Sequence, residues 1–230
     1  LKYISGKWVF GKPHGPVQFY FPYNGLLQYE GGLKKMDDGG FVFQGQGTLY
    51  NQTGQSVYQG LWEGGTRSGN GTAWLEDGSI YSGNWVDDYP DGKGTYLFPD
   101  GTEYEGGFIR GKKHGQGTFK EADGFVSYDG EWKDGQRFGK GRVNKRDSSS
   151  YEGDWLDGKP HGNGMFTYPD GRVYTGTMKQ GLRQGLGELR RSDGSIAYEG
   201  EWDRNLRHGK GKAYSASGLI KFDGDFYEGY

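Results

Sequence analysis

The sequence predicts an all-β chain, an elongated and twisted single-layer antiparallel β-meander built from tandem hairpins of about 23 residues. Three observations carry that expectation. A Y-x-G-x-aromatic motif returns at a fixed interval, a second G-x-G signal follows each copy, and no stretch shows a helical apolar period of useful length. Composition agrees. Leu, Ile, Val and Phe make up only 40 of 230 residues, while Gly numbers 47 and Tyr 18. With 17% aromatics and a net charge of −2 the chain is no disordered polyelectrolyte, so rings rather than aliphatic chains must supply its core.

The first strand of each unit holds the motif. It reads YQGLW from Tyr58, YSGNW from Tyr81, YEGGF from Tyr104, YDGEW from Tyr128, YEGDW from Tyr151, YTGTM from Tyr174, YEGEW from Tyr198 and FDGDF from Phe222. In YEGDW the positions of Tyr151, Gly153 and Trp155 alternate with Glu152 and Asp154, so a strand puts rings and glycine on one face and acids on the other. A Gly- or Pro-containing reversal follows, as in DGKPHG. The second strand opens on G-x-G: at Gly69, Gly92, Gly115, Gly139, Gly162, Gly185 and Gly209. A turn pair such as PDG closes most units. Glycines stand where a neighbouring ring needs room, which predicts Trp and Tyr of one strand lying across the G-x-G of the next. Loops are too short for parallel crossovers, so about 18 strands should run as one meander whose stability sums over units.

Residues 3–57 are irregular. YISGKW from Tyr3 has an extra residue before its Gly and GPV in place of G-x-G, and YEGGL from Tyr29 reaches its GQG at Gly45 only after KKMDDGGFVF. NKRDSSSY lacks the D-G turn. The last match stops within a unit, giving about nine units and a partial tenth over a single array, 1–230.

The pattern Y-x-G-x-W-x-x-G-x-x-x-G-x-G, matched throughout Tyr151 to Gly171, resembles the MORN (membrane occupation and recognition nexus) repeat. The resemblance extends over roughly residues 3–229. It implies a repeat protein acting as a scaffold or adaptor, with cytoskeletal, ciliary or axonemal association and a cytoplasmic location. It also implies phosphoinositide or membrane-surface binding as an alternative, or the targeting region of a larger enzyme.

Catalytic candidates dissolve into the repeat. His14, His114, His161 and His208 each precede the same repeat glycine, whereas a catalytic or metal-binding imidazole needs one place and particular partners. The acids Glu105, Asp129, Glu131, Glu152, Asp154, Glu199 and Glu201 recur on the polar face. No phosphate loop or nucleophile elbow is present. The absence of Cys removes thiol and disulfide chemistry. No apolar run reaches the roughly 18 residues of a membrane span, and the opening LKYISGKWVF lacks a signal-peptide layout. The sequons at Asn51 and Asn70 are read as chance. The expectation is therefore a protein that is not an enzyme, with no cofactor and no metal.

Partner binding is assigned to the aromatic face, expected to be only partly covered. Its candidates are Trp62, Tyr81, Trp85, Tyr104, Phe108, Tyr128, Trp132, Tyr151, Trp155, Tyr174, Tyr198 and Trp202, contacting an amphipathic helix or extended peptide. Charge is uneven. Residues 63–105 hold 9 acids and 2 bases, and residues 106–146 hold 10 bases and 5 acids. Arg110, Lys112, Lys113, Lys120, Lys133, Arg137, Lys140, Arg142, Lys145 and Arg146 thus form the candidate patch for anionic lipid or an acidic partner. Two open sheet edges allow a homodimer. A pI near 6.1 gives no footprint for nucleic acid.

Overall fold

The computed structural model describes residues 3–229, and residues 1, 2 and 230 of the expected array lie outside them. Nineteen strands and, among the described residues, no helix are present. They are β1 Tyr3–Val9, β2 Lys12–Tyr20, β3 Leu27–Lys35, β4 Phe41–Tyr50, β5 Ser56–Glu63, β6 Thr66–Trp74, β7 Ile80–Val86, β8 Tyr89–Leu97, β9 Glu103–Ile109 and β10 Lys112–Lys120. There follow β11 Val126–Lys133, β12 Gln136–Asn144, β13 Ser150–Leu156, β14 Lys159–Thr167, β15 Val173–Lys179, β16 Leu182–Arg190, β17 Ile196–Asp203, β18 Leu206–Tyr214 and β19 Ile220–Phe226. All belong to one open antiparallel sheet whose neighbours are neighbours in sequence. The chain contacts define two compact units, Leu1–His114 with Glu121–Gly124, and Gly115–Lys120 with Phe125–Tyr230.

From β4 onward two kinds of turn alternate, whereas β3 and β4 are joined by a longer loop, Met36–Gly40. The tight one has two central residues of positive φ, Asp87 at 47° and Asp88 at 69° in the first unit, Asp157 at 50° and Gly158 at 76° in the second. This is the type I′ geometry whose twist matches a hairpin. The second kind is a longer loop. In the first unit Leu75 N–H donates to Ser79 O at 2.9 Å, Gly78 N–H to Leu75 O at 3.0 Å, and the Asp77 carboxylate accepts Ser79 N–H at 2.9 Å. NKRDSSSY builds the same loop. Lys145 N–H donates to Ser149 O, Ser148 N–H to Lys145 O, and Asp147 accepts Ser149 N–H. Here Ser148 takes the left-handed conformation, φ 67°, that Gly78 takes in the other case.

In both units glycine meets glycine across the strands. Gly60 pairs with Gly71, Gly71 with Gly83 and Gly83 with Gly94 in the first unit. Gly130 pairs with Gly141, Gly141 with Gly153 and Gly153 with Gly164 in the second. The ladder of Cβ-free backbone is the seat of the rings. A Cβ added to Gly71 would stand 2.2 Å from the Tyr58 hydroxyl, and one on Gly141 would stand 2.2 Å from that of Tyr128. Tyr thus crosses the glycine of its own strand and the second glycine of the next strand's G-x-G. Trp reaches the other way: Trp85 Nε1–H donates to Gly71 O at 3.1 Å and Trp155 Nε1–H to Gly141 O at 2.9 Å. Each of these two glycines lies between the phenol of one hairpin and the indole of the next; Tyr crosses the following strand's G-x-G as the sequence pattern predicts, but Trp, expected to do the same, turns back onto the preceding strand.

Candidate functional site

Tyr, rather than Phe, is demanded at the motif's first position by a β-bulge. The ladder slips between Gly60 and Leu61, between Gly130 and Trp132, and between Gly153 and Trp155. The slip turns one carbonyl out of the ladder, and the Tyr hydroxyl three residues earlier satisfies it. Tyr58 O–H donates to Leu61 O, Tyr81 to Asn84 O, Tyr128 to Glu131 O and Tyr151 to Asp154 O, each at 2.9 Å. Burial removes water from these phenols and raises their pKa, to about 12 for Tyr58, Tyr104, Tyr151 and Tyr174 and further for Tyr29 and Tyr81. They are proton donors that stay protonated, and each is used up by a backbone carbonyl.

The sequence reading expected the aromatic face to be partly open, and the structure corrects it. Trp62, Tyr81, Trp85, Tyr104 and Phe108 in the first unit, and Tyr128, Tyr151, Trp155, Tyr174, Tyr198 and Trp202 in the second, are all at most 5% exposed, and Trp132 is 7% exposed. The rings cover one another edge to face. Tyr58 sits 5.0 Å from Trp62 and 5.4 Å from Trp85, and Tyr128 sits 5.1 Å from Trp132 and 5.4 Å from Trp155.

Cations complete the cover. Arg67 lies 4.2 Å over Trp85 and is tied to Asp88 at 2.9 Å, while Arg183 lies 4.0 Å over Trp202 and donates to Asn205 O at 2.6 Å. In the irregular region Phe43 takes that place, stacked at 3.8 Å on Tyr29. The Arg roof has its own sequence signal: Arg67, Arg137, Arg183 and Arg207 each stand five residues beyond the motif's last position.

The candidate basic patch is distributed. In the first unit Arg110 and Lys112 are exposed, while Lys113 lies 5.0 Å over Phe98 and 5.1 Å over Tyr104. In the second, Arg137 roofs Tyr128 and Trp155, Lys133 lies over Phe138, Lys140 pairs with Asp154 at 2.5 Å and Arg142 with Glu152 at 3.7 Å. Lys120 is half-buried, and Lys145 and Arg146 are on the exposed loop, the latter 5.1 Å over Phe125. Those of the second unit are therefore divided among rings, carboxylates and a loop rather than spread as one cationic plane. His14 and His208 are exposed, and His114 and His161 are half-buried beside their repeat glycines. Among the described residues no group of His, Asp and Glu could hold a metal ion.

The face away from the rings is open, and it differs between the units. Two rows of side chains flank the glycine line there. Along β4–β7 of the first unit they are mostly hydroxyls and amides. Thr72 and Ser82 share a hydrogen bond of 2.9 Å, Asn84 donates to Asn70 at 2.9 Å, and Gln46, Gln59, Asn70, Thr72 and Ser82 line a shallow trough floored by Gly60, Gly71 and Gly83. In the second unit they are charged by strand: acids on β11 and β13, cations on β12, with Met165 beside them over Gly130, Gly141, Gly153 and Gly164. Apolar residues missed in the sequence reading also lie on this face. Trp74, which alternates with the buried Ala73, is half-buried, and Leu186, inside a G-x-G, is 70% exposed. The sequence reading makes the face opposite the glycines polar on both strands of a unit, and these two apolar side chains depart from it.

The MORN repeat model matches eight segments: residues 5–22, 58–80, 81–103, 104–125, 128–143, 151–171, 174–196 and 198–220. The chain belongs to the MORN repeat family. The MORN motif glycines and aromatics are the ladder and rings described above. No curated protein matches the chain. Among solved structures, the TCP10 domain of CPAP from Danio rerio is 15% identical, with 92% of this chain and 90% of that one covered and a TM-score of 0.41. The TCP domain of SAS-4 (dCPAP) from Drosophila melanogaster, solved with a proline-rich motif of Ana2 (dSTIL), is 13% identical, with 67% and 84% covered, also at 0.41. At those scores neither likeness bears on function. No helix of the described residues is long and apolar enough to cross a membrane.

Proposed function

We propose that this MORN array works without catalysis as an interaction scaffold that receives an amphipathic helix or extended peptide of a protein partner along the face opposite its rings. The single observation carrying this reading is the contrast in closure. Rings and their roofing cations consume one face, while the other presents a glycine-floored trough with rows of hydrogen-bonding side chains at the strand spacing of about 4.8 Å. Such a floor lets a partner backbone approach closely, and half-buried Trp74 and exposed Leu186 and Met165 offer apolar anchors. The aromatic residues of the sequence-based assignment support binding by holding the sheet rigid. The association with cytoskeleton or cilium comes from the family resemblance and is part of the same proposal.

The test places a photocrosslinking amino acid at Thr72 or Met165, and at the tight-turn residue Asp87 as control, in native cells. A partner segment crosslinked at the first two positions, whose synthetic peptide then binds the purified chain, supports the reading. Crosslinks confined to Asp87, or to lipid, overturn it.

A further inference from the structure

Among the loops of the second unit, the one at Lys145–Ser149 stands apart. It has the hydrogen bonds of its counterparts but places serine where Gly171, Gly194 and Gly218 stand in theirs. An L-residue in the left-handed region is disfavoured relative to glycine, and the Ser148 side chain is exposed. Three serines follow one another, Ser148, Ser149 and Ser150, and the fold separates them. Ser148 is exposed at the loop's apex, Ser149 is 3% exposed, and Ser150 is half-buried inside β13. Arg146 and Lys145, both exposed, precede Ser148 by two and three residues. Paired cations at that spacing are what a basophilic serine/threonine kinase reads through acidic subsites, by the same charge-assisted bonding that pairs Arg with carboxylates.

A second serine in the second unit follows two arginines, and its surroundings differ. Before Ser192, Arg191 donates to Ile196 O and Tyr214 O, and Arg190 is paired with Glu188 at 2.6 Å. Arg191 is thus held by backbone carbonyls and Arg190 by a surface carboxylate, whereas Lys145 and Arg146 stand on the exposed loop itself, Arg146 over the Phe125 ring.

We propose that Ser148 is a phosphorylation site for a basophilic protein kinase. The Ser148 Oγ forms a bond to the γ-phosphorus of ATP as the bond from that phosphorus to the β–γ bridging oxygen breaks. ADP leaves, and the hydroxyl proton passes to the kinase's base. Kinases take their substrate segment extended, so the loop must open. The left-handed serine at its apex makes the closed form less favourable here than in the glycine-bearing loops. The product carries about two negative charges at neutral pH. Lys145, Arg146 and Asp147 make this loop a net cation, and the phosphate turns it into a net anion. It is a charge switch at the sheet's loop edge, and it holds whether or not the scaffold reading does.

The test incubates the folded chain with the catalytic subunit of cAMP-dependent protein kinase and ATP and maps the phosphate by mass spectrometry. The expected result is up to one phosphate per chain, on Ser148, abolished in Ser148→Ala and in Ser148→Gly, with circular dichroism unchanged in both. Lys145→Gln/Arg146→Gln should lower kcat/KM at least tenfold. Phosphate on Ser149 or Ser150, incorporation only after denaturation, or no incorporation into the folded chain would each overturn the proposal.

Discussion

The two faces of one sheet come from the same strands and alternate residue by residue, yet they obey different rules. On the ring face both units repeat one arrangement: phenol over glycine, indole back onto the glycine carbonyl, cation above. On the other face the trough over β4–β7 in the first unit is lined by neutral amides and hydroxyls, and that over β11–β13 in the second by strands of alternating charge. A side chain on the ring face must fit a rung above and a rung below, so its identity is fixed by packing. A side chain on the open face meets water and its cross-strand neighbours, leaving it free to be set by a partner. Substitutions should therefore lose stability on one face and binding on the other.

The largest expected loss is Trp155→Ala. It removes a buried ring, two edge-to-face contacts and the bond to Gly141 O, and should cost about 4 kcal/mol in chemical denaturation. Tyr128→Phe keeps the ring and strands the Glu131 carbonyl, at about 1.5 kcal/mol. Alkali probes the same phenols together. An unfolded tyrosine loses its proton near pH 10, while Tyr58, Tyr104, Tyr151 and Tyr174 hold theirs to about 12. Their contribution is thus complete below pH 10 and declines as pH rises from 10 to 12. Unfolding midpoints followed across that range should fall steeply, and a flat profile would mean the phenols are not buried. Ser148→Gly, which relieves a left-handed serine, should raise stability by about 1 kcal/mol. On the open face, Arg142→Gln breaks an exposed pair and should change stability by no more than about 0.5 kcal/mol.

Much of this fold was legible in the sequence because strand periodicity and glycine placement are local. Tyr151, Gly153 and Trp155 at every second position already imply a shared face, and that face exists. The closure of the face was not legible. It depends on Arg183 reaching a ring of the next hairpin, Trp202, a contact no single repeat contains. The bulge that demands a hydroxyl at Tyr128 was hidden for a similar reason, since a slip in register is a property of two strands. NKRDSSSY reads as a missing D-G turn only if glycine is obligatory at the left-handed position, whereas Asp147 caps the loop and Ser148 accepts the strained conformation. The face opposite the glycines reads as polar in the one unit Tyr151–Gly171 used as the pattern, and Trp74 and Leu186 belong to other units.

Adjacent residues on opposite faces give the most direct measurement: the unfolding free energies of Gly71→Ala and Thr72→Ala. A methyl on Gly71 must displace the Tyr58 ring, so Gly71→Ala should lose about 3 kcal/mol, while Thr72→Ala should stay within about 0.5 kcal/mol of the parent. Equal effects of the two substitutions, or a Gly71→Ala chain as stable as the parent, would contradict the seating of rings on bare backbone.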